Sequence, residues 1–102
     1  MSLAPFRTVP SFHSRPWGGR LMADRLGKKI PDGPVGESWE VSAHPNGISR
    51  AADGPFAGMS LAEITAKHGA ALLGEQTRAA YRGEFPVLVK LIDVNALASV
   101  QV

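Results

Sequence analysis

Phe85-Pro86-Val87-Leu88-Val89-Lys90-Leu91-Ile92-Asp93-Val94-Asn95-Ala96-Leu97-Ala98-Ser99-Val100-Gln101-Val102 is the stretch whose reading decides the fold of this chain. It reads as two β-strands around a short Asn95-Ala96 connection, because β-branched and apolar residues are dense and Pro86 blocks helix nucleation. Alternation puts Val87, Val89, Leu91 and Asp93 on one face of the first strand and Leu88, Lys90 and Ile92 on the other. In the second strand Leu97, Ser99 and Gln101 share a face, opposite Ala98, Val100 and Val102. Two readings of Lys90 follow. It cuts a polar pocket into an apolar sheet beside a hydroxyl and an amide, or it guards an edge strand against pairing with another chain. In the pocket reading Lys90 and Gln101 face a common space and Asp93 points away from it.

The apolar run reaches Val102 without Gly, Pro, Asn or charge to end it, and reads as the front part of a longer protein. One small domain fits in 102 residues, burying roughly two-thirds of its unfolded surface. A hydrophobic fraction of 44% is that of a globular chain and speaks against disorder. The net charge is +2 and only Lys28-Lys29 are adjacent, so there is no basic stripe for nucleic acid; a small anionic substrate suits the surplus better. Without cysteine, neither a disulfide framework nor a thiolate metal site forms within the chain. No run approaches the ~20 apolar residues that span a bilayer, and no signal segment is present; a cytoplasmic protein without membrane contact is expected. Eleven glycines and eight prolines imply a loop-rich, mainly β chain.

Residues 1–10 read as irregular, anchored by Phe6 and Val9. In Phe12-His13-Ser14-Arg15-Pro16-Trp17-Gly18-Gly19-Arg20-Leu21, Pro16 pushes Arg15 to an extended conformation and Gly18-Gly19 permits a tight turn under the indole. Trp17 on local sequence is core packing or the wall of a site. Arg20 to Leu26 suits two helical turns ended by Gly27. A turn-rich loop over Lys28–Pro34 precedes a strand beginning at Gly36 that puts Glu37, Trp39 and Val41 on one face. A carboxylate there is paired or functional, since burying it alone is costly. Pro45-Asn46-Gly47 turns the chain, and Ile48 to Ala52 suits a short strand pairing back. Ser60-Leu61-Ala62-Glu63 is a capping box opening a helical segment over about 60–74, interrupted by Gly69 and ended by Gly74. Leu61, Ile64, Leu72 and Leu73 are its core residues, and Tyr81 is the one large apolar anchor in the polar stretch Glu75–Glu84.

No self-sufficient catalytic motif is present: no Walker loop, no G-x-S-x-G and no H-E-x-x-H. His13, His44 and His68 are widely separated and suit loops or a helix surface rather than a shared metal. Four separated segments, however, stand in the order and spacing of type I mannose-6-phosphate isomerase, which the chain resembles from about Phe12 to Val102. They are Trp17-Gly18-Gly19-x-Leu21, Gly36 to Gly47, Leu72-Leu73-Gly74 and Phe85-Pro86-x-Leu88-Val89-Lys90-Leu91-Ile92-Asp93. The ending Leu97 to Val102 looks like that family's L-S-V-Q-V-H-P strand with Ala98 as the one change and the His-Pro missing.

The resemblance implies a cupin-like (β-barrel or jelly-roll) fragment, the barrel incomplete, with residues 1–102 as the N-terminal part of a zinc isomerase. That enzyme class interconverts mannose 6-phosphate and fructose 6-phosphate. By the same resemblance Gln101 is a metal ligand, with the remaining ligands beyond Val102. Trp17, Glu37, Lys90 and Ser99 are substrate-site residues, and the catalytic base is left unassigned. The residue types suit the chemistry. Aldose–ketose isomerisation builds negative charge on enediol oxygens, which a Lewis acid and positioned donors stabilise. One neutral amide cannot hold zinc, so the 102-residue chain by itself is expected to be inactive. Two other readings remain at this level. One is a non-catalytic sugar-phosphate-binding cupin-like module; the other is an interaction fragment that self-associates through its open strand edge.

Overall fold

The computed structural model of the chain describes residues 3–96. Strands organise it: β1 (Thr8–Val9), β2 (Ser11–Gly19), then after helix α1 (Leu21–Asp24) β3 (Val35–Val41) and β4 (Arg50–Ala51). Helices α2 (Leu61–Leu73) and α3 (Glu75–Ala80) follow, and β5 (Val89–Ile92) comes last. The chain is mainly β with a few short helices. An antiparallel sheet runs β2-β3-β5, and β1 pairs with β4 in a second, two-stranded sheet; neither closes into a barrel among the described residues.

The shape is a slab of 45 × 32 × 18 Å with a radius of gyration of 15.5 Å, against about 13 Å for a closed-packed domain of this length. Among the described residues the core is correspondingly small, its buried apolar side chains being Met22, Val35, Trp39, Ala51, Leu61 and Ile64. Val35, at the start of β3, is wholly buried, whereas every residue of β5 is exposed.

Local rules account for much of the layout. Ser60 Oγ accepts from the Glu63 amide at 3.1 Å and opens α2, and Gly74 closes it at φ 80°. The break within α2 falls at His68 (φ −130°, ψ 29°), one residue before Gly69, and the helix resumes through Leu73. Gly27, at φ 67°, ends the turns begun by α1.

Several expectations need correcting. The segment Phe12–Leu21 is largely strand: β2 pairs with β3, and the Gly18-Gly19 irregularity is a bulge within it, not a turn between elements. Ile48–Ala52 supplies β4, but β4 pairs with β1 and not back onto β3, although the Ser49 amide does donate to the Ser42 carbonyl at 2.7 Å. Residues 1–10 therefore include a strand. Within them Phe6 packs edge-on against Phe56, but Val9 is 50% exposed and anchors nothing. Tyr81, the residue that follows α3, is likewise exposed, and α3 itself buries no side chain. Leu61 and Ile64 are core, while Leu72 and Leu73, beyond the kink, are only half-buried. The first strand of the closing stretch begins at Val89 rather than Val87, and its second strand lies outside the described residues.

Candidate functional site

Register and alternation together assemble one polar face on the three-stranded sheet. Across β2 and β3 Ser11 stands opposite Trp39 and His13 opposite Glu37; across β3 and β5 Lys90 stands opposite Trp39. Side chains two apart point the same way, so Ser11, His13, Glu37, Trp39 and Lys90 share a face. Asp93, three residues on from Lys90, turns to the other side. Its Oδ2 accepts from the Leu21 amide at 3.0 Å, and its amide donates to the Gly36 carbonyl.

Glu37 is the centre of this face and is only 7% exposed. A buried carboxylate must be compensated by donors, and Glu37 has three. The Trp39 indole N–H reaches Oε1 at 2.9 Å, Lys90 Nζ reaches the same oxygen at 3.1 Å, and Arg15 Nε reaches Oε2 at 3.0 Å. Burial alone would raise the pKa of Glu37; the indole hydrogen bond, then Lys90, then Arg15 outweigh it and hold the carboxyl below its usual range. Three donors converging on one carboxylate fix where each of them stands.

Trp39 is the platform. The His13 ring stacks on it at 4.2 Å between centroids, His44 meets its edge at 6.0 Å, and Lys90 Nζ lies 5.6 Å from the ring centre. Gly47 makes room for this: a Cβ there would fall 2.5 Å from Trp39 Cε3 and 2.7 Å from His13 Nε2. The pKa of His13 is lowered by burial first and then by Arg15 and Lys90, with Glu37 opposing.

The bulge in β2 sets the rim. Ser14 and Gly19 both pair with Val35, so residues 15–18 leave the ladder and fold over Gly36. A Cβ on Gly36 would meet the Arg15 stem at 2.6 Å and the Trp17 ring at 2.9 Å, which puts both side chains over the same spot. Gly18 is pressed against the β3 backbone, where a Cβ would lie 2.5 Å from Val35 C and Gly36 N. The Trp17 carbonyl accepts from the amides of Asn95 and Ala96 and so ties the bulge to the end of β5.

Of the residues singled out in the sequence, Glu37 and Lys90 are thus in contact and Trp17 stands at the rim. Ser99 and Gln101 lie outside the described residues, as does the shared pocket expected for Lys90 and Gln101. His13, read as a loop or surface residue, is in a strand and stacked on an indole. Arg15, which the sequence marks only as an extended residue before Pro16, also joins Glu37; the register shifts between His13 and Gly19 leave no local pattern that would have placed it there. Among the described residues no group of three or more His, Asp or Glu gathers to hold a metal. These residues therefore do not by themselves make a zinc site. A separate groove of about 490 Å³ between α2 and the segment before β5 is lined by His44, Thr65, Phe85 and Leu88, among others, and excludes Glu37 and Lys90.

The sequence and the fold have counterparts in known proteins. The family described as phosphomannose isomerase type I, catalytic domain, matches residues 6–102. The mannose-6-phosphate isomerase of Streptococcus mutans is 39% identical over 98 residues, covering 96% of this chain and 29% of that protein. Mannose-6-phosphate isomerase ManA of Bacillus subtilis is 37% identical over 103 residues, covering all of this chain and 30% of that protein. A crystal structure of the mannose 6-phosphate isomerase from Bacillus subtilis superposes with a TM-score of 0.73 at 38% identity, over 90% of this chain and 28% of that one. The chain thus spans less than a third of the length of these relatives. With a family match across nearly its whole length, the chain belongs to the type I phosphomannose isomerase catalytic-domain family.

Proposed function

We propose that this chain supplies the substrate-side face of an aldose–ketose isomerase that interconverts mannose 6-phosphate and fructose 6-phosphate. The observation that carries the reading is the Glu37 cluster. One carboxylate is shared by two cations, leaving the site with a net positive charge, and both cations remain more than a third exposed. A face of that kind attracts an anionic sugar phosphate and presents donors to its oxygens. Lys90 is the donor to the phosphate or enediol oxygens, Glu37 and Trp39 orient it, and Trp17 forms an apolar wall. Ser99 would add a hydroxyl donor to the substrate oxygens, and Gln101 would offer an amide oxygen to a zinc ion in a cupin barrel that the rest of the catalytic domain completes. Bound zinc would polarise the sugar oxygens. The cytoplasm, where sugar phosphates are made and consumed, is the location this reading implies.

The test is a hybrid in which these 102 residues replace the matching segment of ManA from Bacillus subtilis, assayed by coupled detection of fructose 6-phosphate. The hybrid is expected to turn over mannose 6-phosphate and the isolated chain is expected not to. A folded, metal-loaded hybrid without turnover would defeat the reading.

A further inference from the structure

We propose that Arg15 is a positioning residue of this site: it is the resident counter-ion of Glu37, and its presence lets Lys90 leave that carboxylate for an anionic ligand. The inference rests on the reading above only in taking Lys90 as the group to be released.

The two cations hold Glu37 in different ways. Arg15 is tethered twice, through Nε to Glu37 Oε2 at 3.0 Å and through Nη1 to the Ser14 carbonyl at 3.2 Å. Its stem lies over Gly36 beside Trp17, where the absence of a Cβ is what admits it. A planar guanidinium fixed at both ends loses little further freedom on keeping its bond. Lys90, whose side chain is as exposed as that of Arg15, makes one hydrogen bond, at 3.1 Å, to an oxygen that the Trp39 indole already occupies, and beyond it only approaches the Trp39 ring at 5.6 Å. Its flexible four-carbon stem can turn outward at small cost.

The consequence is electrostatic. If Lys90 were the only cation on Glu37, turning it to a ligand would strand a carboxylate that is 7% exposed. With Arg15 on the other oxygen and the indole on Oε1, the carboxylate stays paired after Lys90 departs. Loss of Arg15 should therefore tighten the hold of Glu37 on Lys90 and make the lysine less available.

Amine availability reads this directly on the 102-residue chain, without substrate. The probe is trinitrobenzenesulfonate at limiting concentration. Labelling of Lys90 is measured by peptide mass spectrometry relative to Lys67, which is exposed on α2. Arg15→Gln is expected to slow Lys90 about threefold or more, the size of a modest gain in ion pairing. In a Glu37→Gln background the same substitution should change the rate by less than about twofold, because the carboxylate through which Arg15 acts is gone. An unchanged or faster Lys90 in a folded Arg15→Gln chain overturns the proposal. So does equal slowing in both backgrounds, which would mean plain charge repulsion between Arg15 and Lys90. If Arg15→Gln does not fold, Arg15→Lys decides: it keeps the charge but cannot hold Glu37 and the Ser14 carbonyl together. Slowing of Lys90 by about twofold supports the positioning role, and a wild-type rate overturns it. Because no sugar phosphate is used, failure here and failure of the isomerase reading are separate results.

Discussion

Lys90 and Glu37, 53 residues apart, meet through one hydrogen bond, and what each contributes can be separated by substitution. In the ManA hybrid, Lys90→Met should lower kcat/KM about 30- to 1000-fold, the loss of a charge-assisted bond to a developing oxyanion. The thermal melt should change by no more than about 1 kcal/mol equivalent, since Lys90 is partly exposed and Glu37 keeps Arg15 and the indole. Unchanged kinetics would leave Lys90 only its edge-strand role. The pH dependence of stability separates the other two groups. His13 is held below its usual 6.5, so the unfolded chain takes up the proton first and stability falls as pH drops from 6.5 through the lower folded value. Glu37 is held below its usual 4.5, so its contribution is present above 4.5 and is lost as pH falls through its folded value. Urea midpoints measured from about pH 7.5 downward should fall in two legs. His13→Gln should flatten the upper leg and Glu37→Gln the lower one.

Among the elements, the β2 bulge does most to shape the site. It brings Arg15 and Trp17 over Gly36 and presses Gly18 onto β3. A methyl at Gly18 would collide with backbone atoms that cannot step aside. Gly18→Ala should therefore cost about 1–3 kcal/mol and displace the Trp17 indole. Tryptophan emission and a denaturant melt would register both, and a native melt with unshifted emission would show that the bulge relaxes freely. At the other end of the same segment, the buried Asp93 accepts from the first amide of α1 while Asn95 and Ala96 hold the Trp17 carbonyl. The residues that follow β5 are thus built into the bulge.

At the scale of the whole molecule, the slab leaves apolar surface uncovered. Val87, Leu88, Val89, Leu91, Ile92 and Val94 are all 38–57% exposed, and they cluster along and beside β5. Exposed apolar side chains on a strand at the edge of the described sheet favour pairing between copies. The isolated chain should accordingly self-associate with rising concentration in sedimentation experiments, and Ile92→Lys should weaken that association. A monomer at all concentrations would count against β5 as the sticky edge.

Features governed by nearest neighbours along the chain were legible without coordinates. The alternation of Glu37 and Trp39, the Ser60–Glu63 cap, the stop at Gly74 and the strand around Lys90 all follow from local periodicity, capping and glycine conformation. The partners of Glu37 were not legible. Arg15 and Lys90 lie 22 and 53 residues from it, and their approach depends on strand register and on a bulge that shifts that register. Pro16 and Gly18-Gly19 also hid β2, because residues that normally break strands are tolerated where a bulge leaves the ladder. The pairing of β4 with β1 instead of β3 was open for the same reason: a two-residue strand carries too little pattern to name its partner. Local sequence determined which residues point together along each strand; tertiary register alone decided which strands, and hence which charges, stand side by side.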